Sequence, residues 1–331
     1  MSTNCSHTTE ILQSFCYHFN YYIPLCYLPI GLTGNLLNIL TFTRPTLRTN
    51  SCTIFLLYSS IANLFHLTFG LVTRIVIDQY QYDIETNSIV FCKLKYYIMY
   101  TSASLSLYFV LLASINRYYQ TKSHSRQWCF SQLFHPSKIS LVLTLVNCLI
   151  YLHIPVRFRI NHSSTRSRLV CYAVETPYRI FIDVYLVITW SLSTPCLMFI
   201  FSVRTIRNLQ VTEPQRKRKF NRRTSYRKKT DIQLAVMISF QIVIIVCSTL
   251  PFGIQKLFST FYPARTTCHG IVESSILCLT RHLSFTNSTF CFLFYILTAR
   301  KFRHELISYF QEIFCSRCCE RKIFQRIRST S

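Results

Sequence analysis

Four basic residues, Arg74, Arg117, Lys256 and Arg281, stand inside stretches of this chain that are otherwise apolar. An ionisable group there is costly unless it faces a wet cavity or meets an anionic or carbonyl partner, so each reads as a binding or switching residue. The chemistry such residues offer is recognition of negative charge. Bond-making chemistry has no counterpart: the sequence holds no Gly-rich phosphate loop, no zinc-binding helix motif and no nucleophile elbow. Neither an enzymatic activity nor a cofactor is expected. Cys315, Cys318 and Cys319 lie among basic residues near the C-terminus, which suits palmitoylation, and they lack an evident fourth ligand for zinc, so no metal is expected. Asn4-Cys5-Ser6 and Asn161-His162-Ser163 are glycosylation acceptors.

The elements that must position these residues follow from composition. The net charge is +24 on 331 residues, yet half the chain is apolar and only 15% is charged, with five glycines. A soluble chain carries about a quarter charged residues. Crossing about 30 Å of hydrocarbon takes roughly 20 apolar residues, and seven such stretches recur: 21–43, 52–77, 89–121, 138–156, 178–206, 230–258 and 270–298. Without water in the bilayer their backbones must be helical, and no ten-residue alternation of barrel strands is present. The expected fold is an all-α integral membrane bundle of seven helices, with residues 1–20 as an outer tail, 21–299 as the transmembrane domain and 300–331 as an inner tail. Phe302, Leu306, Ile307, Phe310 and Phe314 line one face of a short amphipathic eighth helix in that tail.

Basic residues set the orientation. Of the 36 Lys and Arg, 25 fall after stretch one, between three and four, between five and six, or after seven, with only five acids among them. The positive-inside rule makes that face cytoplasmic and the N-terminus extracellular. The first apolar run is too long for a signal-peptide core, so no cleaved signal is expected. The basic run 216–229 therefore reads as a contact for anionic inner-leaflet lipid, not nucleic acid. Most of the 16 cysteines act as small apolar residues, while Cys5, Cys16, Cys26 and Cys268 lie on the outer side, where one further pair is possible.

The pattern resembles the rhodopsin-like (class A) G-protein-coupled receptors across 21–319. Gly34-Asn35 matches the family's Gly-Asn pair, and Asn116-Arg117-Tyr118 matches its Asp-Arg-Tyr triplet with the acid changed to amide. Cys92 precedes Arg117 by the family's 25 residues, and Pro155, Pro195 and Pro251 fall where the family keeps prolines. Tyr295, seven residues before Phe302-Arg303, matches the tyrosine of the Asn-Pro-x-x-Tyr motif, and Asn287-Ser288 is similar to peptide receptors of the FMRFamide-like group. The chain also departs from the family. Asn63 replaces the second-span Asp, Cys291 the seventh-span Asn and Thr249 the sixth-span Trp, and the fourth-span Trp is missing.

The resemblance implies a Cys92 to Cys171 disulfide and a heterotrimeric G protein as inner partner at the plasma membrane. It also implies a resting clasp between Arg117 and Asp231, twenty residues before Pro251. Asn35, Asn63, Ser106 and Asn287 become core polar positions; with Asn63 in place of an acid, sodium is expected to bind weakly. Arg74, Lys256 and Arg281 turn toward a central cavity with Lys95 near its rim, implying an extracellular ligand that is a peptide or an anionic small molecule. Met99 occupies the position of the amine-receptor Asp. The alternatives are a small multi-span transporter, disfavoured by the lack of repeats and of glycine-broken helices, and a seven-helix receptor that no longer couples.

Overall fold

The structure, a computed structural model of the chain, describes residues 2–80, 82–121, 135–162, 169–173, 175–216, 222–262 and 267–312. Side chains of 2–8, 162, 209–238 and 267 are outside that description. The described residues form seven long helices, a short eighth and one β-hairpin.

Helix α1 runs Ser2–Phe42, 41 residues. At 1.5 Å per residue it is about 60 Å long, twice the hydrocarbon thickness. Residues 2–20, read from the sequence as a tail, thus continue the first span as helix. Asn50 caps the next helix by accepting from the Cys52 amide at 3.1 Å, and α2 then runs Ser51–Tyr80. A π-helical turn at Thr68–Val72 adds a residue to its coil. Gly70 in that turn lets the Phe285 ring approach so closely that a Cβ would lie 2.5 Å from it.

Helix α3, Ile89–Thr121, is the central post, packed on α2, α4, α5 and α6. Its middle is a run of small residues, among which Ala103, Ser104 and Ser106 are buried. Small residues let membrane helices come together where no hydrophobic effect drives association, and hydroxyls can bond across. The Trp190 Nε1 donates to Ser104 Oγ at 2.7 Å, and Ser104 also bonds Tyr151. Helix α4, Pro136–Arg157, starts with Pro136, which costs no helical hydrogen bond there. It turns Leu141, Val142, Leu145 and Leu149 outward, the apolar exposure expected of a face that meets lipid.

Strands β1, Phe158–His162, and β2, Leu169–Ala173, pair antiparallel with Ile160 opposite Cys171. Helix α5 runs from Thr176 to Arg216 with a second π turn at Val187–Ser193. Helix α6 runs Arg222–Phe261 with Pro251 inside it. Helix α7 is Thr267–Ser284 and Thr286–Thr298, interrupted at Phe285, and α8 covers 300–312.

Helices α1 to α6 are each long and apolar enough to cross a membrane. The first half of α7 carries Glu273, Arg281 and His282, and it packs against α1 and α6 to complete the bundle. The chain is a multi-pass membrane protein.

Candidate functional site

At the end of the bundle that carries the hairpin, α3, α5, α6 and α7, with His66 of α2, line a partly open cavity. Leu107, Leu186, Val187, Trp190 and Phe252 give it apolar walls, and His66, Ser106, Asn287 and Ser288 supply polar groups deeper down. Asp183 of α5 and Lys256 of α6 line it as well. The Lys256 Nζ lies 4.4 Å from the centroid of the Tyr172 ring and donates to the Tyr172 hydroxyl at 3.3 Å. Tyr172 in turn donates to Asp183 Oδ1, and Thr260 Oγ1 donates to Asp183 Oδ2 at 2.6 Å. Both oxygens of Asp183 are thus engaged, whereas an ammonium has three donors and Lys256 shows one hydrogen bond. Lys256 therefore has two further donors to offer an incoming acceptor.

Nearby cations are already paired. A single helical turn, Ile84–Asn87, capped by Asp83, carries Glu85 from the α2–α3 connection into the bundle, where it is 6% exposed. There it pairs with Lys95, itself 1% exposed, and accepts from the Tyr96 hydroxyl at 3.1 Å. Arg74 lies 3.8 Å from the same carboxylate. Burial works to raise the Glu85 pKa, but the charges of Arg74 and Lys95 outweigh it and hold the carboxyl below its usual range. Arg281 donates to Asn20 Oδ1 of α1 at 3.3 Å. Of the basic positions read from the sequence as one converging set, only Lys256 is in the cavity lining. Met99 packs against the hydrophobic core and is not part of that lining.

Below the cavity, a buried network joins four spans. Ser106 Oγ donates to Asn63 Oδ1 at 2.6 Å, and Asn63 Nδ2 donates to Asn35 Oδ1 at 3.3 Å. Asn35 Nδ2 donates to Gly31 O and Ser288 O at 2.7 and 2.8 Å. The Cys291 thiol donates to Asn35 Oδ1 at 3.3 Å and accepts from Asn38 Nδ2 at 3.4 Å. Asn63 donates and accepts at once, which a carboxylate cannot do. Asn287 is buried beside this network, and the adjacent Ser288 Oγ is 3.1 Å from His66 Nδ1.

At the opposite end, Arg117 is 2% exposed and donates to Gln120 at 3.3 Å. Tyr118 packs on Phe201 of α5, and the neighbouring Asn116 is half-buried. The buried Tyr295 sits between Phe42 and Phe302, its hydroxyl donating to Gln241 at 3.5 Å. Helix α8 is clasped to the α1–α2 connection: Arg44 makes a two-pronged pair with Glu312, 2.9 Å at one prong, and lies over Tyr309. Those hydrogen bonds hold the Glu312 carboxyl below its usual range.

Cys92 and Cys171 are bridged, Cα to Cα 5.9 Å, tying β2 to the start of α3. Asn161 is exposed on β1. The side chains of Asn4 and Asp231, and all of Cys315, Cys318 and Cys319, lie outside the described residues. Sequence reasoning missed Glu85, Asp183, Tyr172, Thr260 and His66. The two acids carried a readable signal, since Glu85 and Asp183 are among only seven acids outside the basic face.

A family model described as 7 transmembrane receptor (rhodopsin family) matches residues 34–295. Protein trapped in endoderm-1 of Drosophila melanogaster is 31% identical over 122 residues, 36% of this chain and 30% of that protein. The chain thus matches less than a third of that relative's length.

Proposed function

The chain belongs to the rhodopsin family of seven-transmembrane receptors, and from that premise we propose that it converts an extracellular ligand into activation of a heterotrimeric G protein at the plasma membrane. The observation that carries the reading is the course of α3. Its Ala103, Ser106 and Leu107 line the cavity, and ten residues beyond Leu107, about 15 Å along the helix, it presents Arg117 to the other end. One helix therefore touches both the place where a ligand would bind and the place where a G protein would dock. Basic loops put the α8 end in the cytoplasm and the N-terminus outside.

The ligand is a peptide or a small molecule bearing a single acid, with Lys256 as its counter-charge and the apolar walls taking its body. Arg74 and Lys95 serve Glu85 instead. On the inner side, Arg117 and Asp231 clasp α3 to α6 at rest, and their release opens the cytoplasmic face. Asn116 cannot be the anion in that clasp, which leaves Asp231 as the partner. Family receptors of this kind are not enzymes, so the output is a change of shape.

The test is basal nucleotide exchange on G proteins in membranes from cells expressing the full chain at matched surface levels. Asp231→Ala is expected to raise the basal rate and Arg117→Ala to abolish it. An unchanged rate in Asp231→Ala refutes the clasp, and silence in every variant, with ligand-bearing extracts added, refutes coupling.

A further inference from the structure

Helices α1 and α7 run side by side and share one polar level. There Asn20 Oδ1 meets Arg281 Nη2 at 3.3 Å and lies 2.8 Å from His282 Nε2. About 20 residues of hydrocarbon crossing, counted back from the inner end of α1 at Phe42, end close to this level. Polar and cationic groups belong at such a boundary. The stretches of α1 before Asn20 and of α7 before Arg281 therefore stand clear of the hydrocarbon as a tower, with α7 packed on α6 as well as on α1, which also accounts for the polarity of the first half of α7.

One turn above the boundary, two thiols face each other across the tower. Cys16 Sγ is 3.8 Å from Ser275 O of α7, and Cys278 Sγ is 4.0 Å from Cys16 O of α1. Each sulfur thus lies against the backbone of the other's helix. Both are free thiols, Cys16 half-buried and Cys278 4% exposed. The same end of the molecule holds the Cys92–Cys171 bridge and a disulfide-bonded Cys268 ten residues before Cys278.

We infer that Cys16 and Cys278 are a further disulfide site, one that closes the tower by thiol–disulfide exchange with the low-molecular-weight or enzyme-bound disulfides of the secretory compartment. The inference rests on the outward orientation of the N-terminus proposed above, because only an oxidising face sustains such a bond. The half-buried Cys16 is the thiol an oxidant meets first. Its thiolate attacks one sulfur of the oxidant's disulfide, forming a mixed disulfide and releasing one thiol. Cys278 thiolate then attacks the Cys16 sulfur, forming the Cys16–Cys278 bond and releasing the second thiol. Two cysteines are oxidised, one external disulfide is reduced, and the two thiol protons pass to the released thiols. The bond fixes α1 against α7 above the cavity residues Ser284, Asn287 and Ser288.

The full chain, carrying an N-terminal epitope, is expressed in cells, blocked with N-ethylmaleimide while intact and again on denaturation, then digested without reduction and sequenced by mass spectrometry. A peptide pair joined through Cys16 and Cys278 is expected, lost on dithiothreitol treatment. In Cys16→Ser and Cys278→Ser the remaining partner becomes fully alkylated, with the Cys92–Cys171 peptide reporting intact folding. Alkylation of both cysteines in the wild type, with the epitope accessible on intact cells, overturns the inference and leaves the orientation standing. Alkylation of both with a hidden epitope overturns the two together. Linkage of either cysteine to another partner also overturns it.

Discussion

Replacing Glu85 by Gln removes one charge and almost no volume, so the loss it causes measures the ionic centre alone. In the wild type the carboxylate serves Lys95, whose side chain is 2% exposed, and Arg74, whose side chain is 21% exposed. Arg74 can turn to water at modest cost, but Lys95 is left buried with a neutral amide. Removing one member of a buried pair costs about 3–5 kcal/mol because the other charge stays behind. With Tyr96 still able to donate to the amide oxygen, a loss of about 3 kcal/mol is the reasoned value. With an unfolding entropy of about 2.1 cal/mol/K per residue, 1 kcal/mol moves the melting temperature of a chain this long by about 1.4 °C, so that of the purified receptor should fall by roughly 4 °C.

A second substitution separates charge from packing: Lys95→Met in the Glu85→Gln background removes the stranded cation and should recover most of the loss. The pH profile gives a third readout. The folded pKa of Glu85 is lowered, so its stabilisation is complete above the unfolded carboxyl value of about 4.3 and is lost as pH falls through the lower folded value. The wild type should therefore converge on the Gln variant in acid and exceed it at neutral pH. A fall of less than about 2 °C in Glu85→Gln, or further destabilisation by Lys95→Met, refutes the reasoning.

Lys256→Gln should leave the melting temperature near that of the wild type. It should weaken binding of an acidic ligand by roughly 10- to 150-fold, the worth of a charged hydrogen bond, as read by competition binding with a carboxylate and its matched amide. Asn63→Asp puts a carboxylate oxygen where an amide now donates to Asn35 Oδ1 at 3.3 Å. The variant should melt lower than the wild type in choline chloride and recover in sodium chloride, while the wild type melts at the same temperature in both salts; a sodium shift in the wild type refutes the neutral-network account.

The fold was legible because membrane crossing leaves its mark on composition. Seven apolar stretches had to be helices, and the expected third, Ile89 to Thr121, coincides with α3. The extension of α1 over residues 2–20 was not legible, because a helix outside the hydrocarbon needs no apolar run. Its cause lies in pairing between two distant segments, at Asn20 with Arg281 and His282. The π turns in α2 and α5 are likewise invisible to a 3.6-residue periodicity, yet one brings Gly70 against Phe285 and the other carries Trp190, which donates to Ser104.

For the site, the sequence disclosed which residues carry charge but not which charges are already met. Arg74, Lys95, Lys256 and Arg281 look alike in sequence, each a cation in or beside an apolar run. What separates them is a single loop turn. Glu85 arrives from outside the spans and takes two of the four, and Asn20 meets a third. Lys256 is left on the face of a tyrosine, whose hydroxyl is committed to Asp183. Displacing that 3.3 Å contact asks little of an incoming acid, whereas an incoming amine would meet the Lys256 cation and share a carboxylate that already accepts from Tyr172 and, at 2.6 Å, from Thr260. The same cavity can thus discriminate between ligand charges without a net charge of its own, and the direction of that preference is set by which hydrogen bonds are weak.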